Sequence, residues 1–125
     1  MKLNHIALSI LNKEELIDFY QNILGLKLEY QYEIDSTLSS TIFDIEKPAE
    51  VFRYSKDNLH FEFFISSEKT IPAFAHIGID VEDRETVVEK CKKAGYKVTR
   101  VERKEKYDLI FVSDKAGNKF ELKNW

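Results

Sequence analysis

Cysteine is almost missing from this 125-residue chain. Cys91 stands alone, so no disulfide can form within the chain, and a reducing, cytoplasmic setting is expected. It falls inside an expected helix, where it reads as a small half-buried side chain rather than a reactive thiol. Long apolar runs are also lacking: none nears the ~20 residues of a membrane span. Met1-Lys2-Leu3-Asn4 enters the first strand without the apolar stretch of a signal peptide. No sign of charge dominates. The formal net charge is −3, and lysines are interleaved with acids, as in Glu102-Arg103-Lys104-Glu105-Lys106, which reads as a solvated loop. Neither disorder nor a nucleic-acid footprint is indicated. What is plentiful is aromatic side chain, with nine Phe and six Tyr, which suits sheets. The length fits a single domain, 1–125, able to bury a core.

A phrase near the start, His5-Ile6-Ala7-Leu8-Ser9-Ile10, returns as His76-Ile77-Gly78-Ile79-Asp80-Val81. Each copy is followed by an amphipathic helical stretch and a matching strand opening, Gly25-Leu26-Lys27-Leu28 and Gly95-Tyr96-Lys97-Val98, about 70 residues apart. The chain is therefore expected to hold two βαβββ modules, about 1–66 and 74–125, joined by a linker at 67–73. The fold class is α+β: a pseudo-two-fold repeat forming a curved, partly closed mixed sheet with helices outside. In the first half Asn12 caps a helix whose buried stripe is Leu16, Ile17, Tyr20, Ile23 and Leu24, closed by Gly25. Strands are expected at Leu26–Ile34, Leu38–Ile45 and Leu59–Ile65, with Val51–Tyr54 a short strand or excursion after Pro48. In the second half a helix capped at Asp83 buries Val87, Val88, Cys91 and Ala94. Strands follow near Tyr96–Val101, Leu109–Val112 and Lys119–Lys123.

Strand side chains alternate sides, so parity shows what points where. Ile6, Leu8 and Ile10 should pack on the helix, which turns His5 the other way; Ile77, Ile79 and Val81 do the same for His76. Glu62 lies opposite Phe61 and Phe63, and Glu121 lies opposite Phe120 and Leu122. Two imidazoles and two carboxylates thus share the faces turned from the helices. A buried carboxylate must be paired, hydrogen-bonded or ligating a metal, and a divalent cation would satisfy all four groups. His60 shares the face of Glu62 and competes with it. Arg53, Arg100 and Arg103 could bind an anion, but solvation is the plainer reading of each.

These residues, in this order, resemble the vicinal oxygen chelate superfamily, which includes glyoxalase I, extradiol dioxygenases, and the fosfomycin- and bleomycin-resistance proteins. The similarity spans nearly the whole chain. It is carried by Asn4-His5-Ile6-Ala7-Leu8, Phe19-Tyr20 and Leu24-Gly25-Leu26-Lys27-Leu28 in the first half. In the second it is carried by His76-Ile77-Gly78 and Asp114-Lys115-Ala116-Gly117-Asn118-Lys119-Phe120-Glu121-Leu122, with Lys115 and Ala116 departing from the usual ending. The resemblance implies metal ligands at His5, Glu62, His76 and Glu121, the full set most like glyoxalase I.

The implied cofactor is a divalent ion, Ni, Co, Zn, Mn or Fe. The implied activity is that of a lyase or isomerase acting on a small substrate with vicinal oxygens through a metal-stabilised enediolate, with Glu62 and Glu121 moving the proton. Ser9 and Ser66 stand where bacterial glyoxalase I carries the arginine and asparagine that hold glutathione, which implies another thiol or another oxygenated substrate. Two alternatives remain: a metal-free binding protein like those for bleomycin, and an Fe(II) extradiol-type dioxygenase. A homodimer is expected, the modules pairing either within a chain or between two, with no nucleic-acid or membrane partner.

Overall fold

The alternating apolar residues build eight strands. In this computed structural model, which describes residues 1–124, the first module runs β1 (Ile6–Ile10), a π-helical segment (Leu16–Gln21), β2 (Lys27–Ile34), α1 (Ser36–Phe43), β3 (Ala49–Lys56) and β4 (Leu59–Ile65). The second runs β5 (Ile77–Val81), α2 (Arg84–Ala94), β6 (Lys97–Val101), β7 (Leu109–Ser113) and β8 (Lys119–Asn124). Trp125, the expected end of the second module, lies outside the described residues. Each module makes one four-stranded sheet, ordered β1-β4-β3-β2 and β5-β8-β7-β6. The first strand runs parallel to the last and the other pairings are antiparallel, so both sheets are mixed. The α+β architecture of two repeated modules is that expected from the sequence. The one partly closed sheet that was expected is not formed: among the described residues no ladder joins one sheet to the other, because the two sheets pack through their apolar faces instead.

Asn12 caps the first helical stretch as expected, its side-chain oxygen accepting from the Glu15 N–H at 3.2 Å. Wider turns follow: the N–H groups of Asn22 and Leu24 reach back five residues, to Ile17 and Phe19. The buried stripe is Leu16, Phe19, Tyr20 and Ile23. Ile17, expected in it, is 45% exposed, because those four already fill the arc facing the core. Gly25 (φ 77°) and Gly95 (φ 80°) take the left-handed conformation that closes each stretch, which only glycine adopts without strain. Val87, Val88 and Cys91 are buried on α2, while Ala94 reaches the surface at the helix end.

One expected strand is absent. Residues 38–45 fall mainly in α1, not in a strand. Asp35 is the reason: its carboxylate accepts from the Leu38 N–H at 2.8 Å, an N-cap that starts a helix, and Asp44 ends it at φ 58°. The third strand of the module is instead β3, longer than the expected excursion at 51–54, and it pairs with both β2 and β4.

The helix-facing sides of both sheets meet in one core. Tyr20 packs on Phe63 (ring centroids 4.1 Å) and on Phe120 (6.0 Å), and Phe61 of β4 meets Phe120 of β8 at 6.3 Å. Two buried carboxylates tie the modules together there. Glu15, 1% exposed, accepts from the Tyr96 hydroxyl and the Lys115 N–H, both at 2.8 Å. Asp114, 5% exposed, accepts from the Tyr20 hydroxyl at 2.6 Å and from the N–H groups of Gly117 and Asn118 in its own turn.

Candidate functional site: two histidine–glutamate pairs

Parallel pairing of β1 with β4 sets Ile6 beside Phe61 and Ala7 beside Glu62. His5, one residue ahead of that ladder, therefore reaches Glu62, its Nε2 2.6 Å from Oε2. The second module repeats the register, with Ile77 beside Phe120 and Gly78 beside Glu121. His76 Nε2 lies 3.4 Å from Glu121 Oε2. In each imidazole Nδ1 is 2.8 Å from a fixed oxygen, the Asn4 side-chain carbonyl for His5 and the Phe74 backbone carbonyl for His76. With Nδ1 held there, Nε2 is the ring nitrogen turned toward the carboxylate, and it is the one free to turn to a metal ion; a backbone or side-chain oxygen on the other nitrogen is the usual support of a metal-binding histidine.

Glu62 is embedded in a larger network. The Tyr32 hydroxyl donates to its Oε1, and Arg53 approaches Oε2 at 3.8 Å. Burial, followed by the Glu62 hydrogen bond, pushes the Tyr32 hydroxyl up to about 12. Arg53 also donates from Nε to Glu29 at 3.0 Å. The solvated reading of Arg53 is overturned: its side chain is 14% exposed, because the β3–β4 register places it directly opposite Glu62. Arg100 binds Glu85 and Asp108, and Arg103 binds the Tyr107 carbonyl; neither contacts the four candidate ligands. His60 stands beside Glu29, 3.4 Å from Nδ1 to Oε1. Hydrogen bonding by Ser55 foremost, then by Arg53, holds the Glu29 carboxyl below its usual range. On the second sheet, Lys123 reaches Glu121 at 2.6 Å and, with His76, holds that carboxyl below its usual range; Lys123 is the larger influence. The ring of Phe111 meets His76 edge-on at 5.4 Å.

The structure thus brings His5 to Glu62 and His76 to Glu121, but not one pair to the other. Among the described residues, no three potential metal-ligating side chains gather. The cause lies in the packing. Phe61 and Phe120 point into the shared core, so Glu62 and Glu121, their neighbours in sequence, point out of it on opposite sides of the molecule's core. One chain presents two separate histidine–glutamate pairs. Sequence reasoning missed Tyr32 and Glu29 around Glu62 and took Arg53 for a solvated residue, and it missed the Glu15 and Asp114 anchors. Arg53 alone had a usable signal, since its parity sets it opposite Phe52 and Tyr54, on the face that Glu62 shares.

The sequence model of the Glyoxalase/Bleomycin resistance protein/Dioxygenase superfamily matches residues 2–122. A lactoylglutathione lyase of Neisseria meningitidis is 29% identical, over 98% of this chain and 89% of its own length. A glyoxalase family protein from Enterococcus faecalis superposes with a TM-score of 0.69 at 20% identity, covering 97% of this chain and 95% of the other. The fosfomycin resistance protein FosX of Listeria monocytogenes, solved with Mn(II) and sulfate, gives 0.72 at 20% identity, with 99% and 91% covered. The chain belongs to the Glyoxalase/Bleomycin resistance protein/Dioxygenase superfamily.

Proposed function

We propose that this protein is a metal-dependent, glyoxalase-like lyase or isomerase that works as a homodimer. The observation that carries the reading is the repeated pairing of an imidazole with a carboxylate on each sheet face turned from the core. Two such half-sites on one chain have the donor chemistry of one complete site but lie on different faces. A second copy related by two-fold symmetry would set His5 and Glu62 of one chain against His76 and Glu121 of the other, twice over. The first of these faces also carries exposed apolar surface that such a copy would cover: Tyr30 is 51% and Tyr32 39% exposed, and Phe43, packed on Phe64 of the same face, is 47% exposed.

The donor set fits a borderline divalent ion, with two imidazoles whose second nitrogens are already held and two carboxylates. Such an ion, Ni, Co, Zn, Mn or Fe(II), would supply Lewis-acid polarisation of two neighbouring substrate oxygens. The chain itself supplies room and proton transfer. Beside His76 the strand carries Gly78, where an added Cβ would meet nothing within 4 Å, and beside His5 it carries only Ala7 and Ser9. Glu62 and Glu121 are placed to take a proton from one carbon of the substrate and return it to the next.

The lactoylglutathione lyase relative supports a thiol adduct of an α-keto-aldehyde as substrate class. Ser9 and Ser66 support a thiol other than glutathione. Metal-reconstituted protein should convert such adducts, and Glu62→Gln and Glu121→Gln should each lower kcat by about 100-fold or more while melting like the parent. Unchanged turnover in both variants, or no metal in protein purified without chelators, would discard the reading.

A further inference from the structure

The two sheets are copies in register but not in the side chains that surround their glutamates. Arg53 stands opposite Glu62 on β3, and the position opposite Glu121 on β7 is Phe111. Tyr30 pairs with Arg53, where Thr99 pairs with Phe111; Tyr32 pairs with Val51, where Val101 pairs with Leu109. The first-module face therefore carries a tyrosine hydroxyl and a guanidinium where the second carries a valine and a phenylalanine.

Both groups act on one carboxylate. Tyr32, two strands away on β2, donates to Glu62 Oε1, while Arg53 of the adjacent β3 and His5, just ahead of β1, address Oε2, so both oxygens are partnered. Glu121 has Lys123, a residue of its own strand whose side chain is 53% exposed, besides His76. Arg53 is itself held. The β2–β3 register shifts between Leu28 and Tyr30, and this bulge leaves Glu29 unpaired in the ladder. Glu29 binds Arg53 Nε at 3.0 Å, and the Tyr30 ring lies 6.0 Å from the guanidinium carbon. A bulge that aims two successive residues at one arginine is a local device, and the second module has no register shift on its corresponding ladder.

We infer that Tyr32 and Arg53 are positioning residues that fix the Glu62 carboxylate for metal binding, making the first-module pair the pre-organised half of the site. The inference rests on the proposed metal site. A carboxylate ligand whose oxygens are already directed loses less freedom when it binds, and removing such supporting partners typically weakens metal affinity about 10–100-fold.

Competition titration with Zn(II) against a chromophoric chelator, with thermal melting alongside, tests it. Tyr32→Phe deletes one hydroxyl and keeps the ring; Arg53→Met deletes the charge and keeps the stem. Each should weaken Zn(II) binding about 10–100-fold with the melting midpoint nearly unchanged, while Lys123→Met should change it less than about threefold. Should Arg53→Met fail to fold, Tyr32→Phe, at a 39% exposed position, carries the test alone. Parent-like Zn(II) affinity in Tyr32→Phe and Arg53→Met, or an equal loss in Lys123→Met, would overturn the inference and leave the proposed function standing. Failure of the parent protein to bind Zn(II) would overturn both.

Discussion

Glu15 shows how much a single residue holds here. Its carboxylate, 1% exposed, receives the Tyr96 hydroxyl and the Lys115 N–H from the other module. Glu15→Ala would strand two buried donors, and the expected loss is about 2–4 kcal/mol, read as a lower urea midpoint with an unchanged slope. A parent-like midpoint would show that these bonds contribute nothing net. The four candidate ligands were legible because period-two alternation fixes a strand's faces without knowledge of the fold: Glu62 sits between Phe61 and Phe63, and His5 alternates with Ile6 and Leu8, apolar residues that must face a core. Glu15 was not legible in this way. In sequence it is an acidic residue in the first turn of a helix, where solvent exposure and a favourable helix dipole suffice to explain it. Only the partner module shows it to be enclosed. Tyr32 and Glu29 escaped for a related reason, since their work depends on a ladder partner and a bulge that alternation cannot reveal.

Among the elements, α1 and the core strand β8 make contrasting cases. The segment Leu38-Ser39-Ser40-Thr41-Ile42-Phe43 mixes apolar with small polar residues and contains the β-branched Thr41 and Ile42, which suits a strand; a helix forms because Asp35 caps it. Asp35→Ala should destabilise the protein by about 0.5–2 kcal/mol, with faster amide exchange concentrated in residues 36–43. Uniform exchange would contradict a local cap. Phe120 on β8 is fully buried against Phe19, Tyr20 and Phe61. Phe120→Ala should therefore cost about 3–5 kcal/mol and loosen both modules together, seen as one cooperative transition by fluorescence and circular dichroism. Which face of β8 turns to the core was readable from Phe120 and Leu122. The longer β3 was harder to read, because its ends, Ala49-Glu50 and Ser55-Lys56, carry no large apolar side chain.

For the whole molecule, one core shared by two modules explains both stability and the division of the site. Burial, and then the neighbouring Asp114, raises the Tyr20 hydroxyl well above its usual value; burial and then Glu15 do the same for Tyr96. On these two hydroxyls the folded protein therefore keeps protons that the unfolded chain releases near pH 10. The stability tied to them is fully present below that pH and is lost as pH rises further. Melting midpoints should stay level between about pH 7 and 9 and fall steeply above 10, with a shallower fall in Tyr96→Phe. An identical slope in that variant would remove Tyr96 from the account. The same shared core turns the two histidine–glutamate pairs outward, which the pseudo-symmetry of the sequence alone could not decide.

Mixed dimers test that arrangement most directly. His5→Ala and His76→Ala each damage every site in their own homodimer. Joined as one His5→Ala chain and one His76→Ala chain, they leave one site with all four ligands if each site is shared between copies, and none if each site lies within a chain. Tandem-tagged heterodimers should therefore bind one divalent ion with parental affinity where both variant homodimers bind weakly. Heterodimers no better than the homodimers would contradict the account.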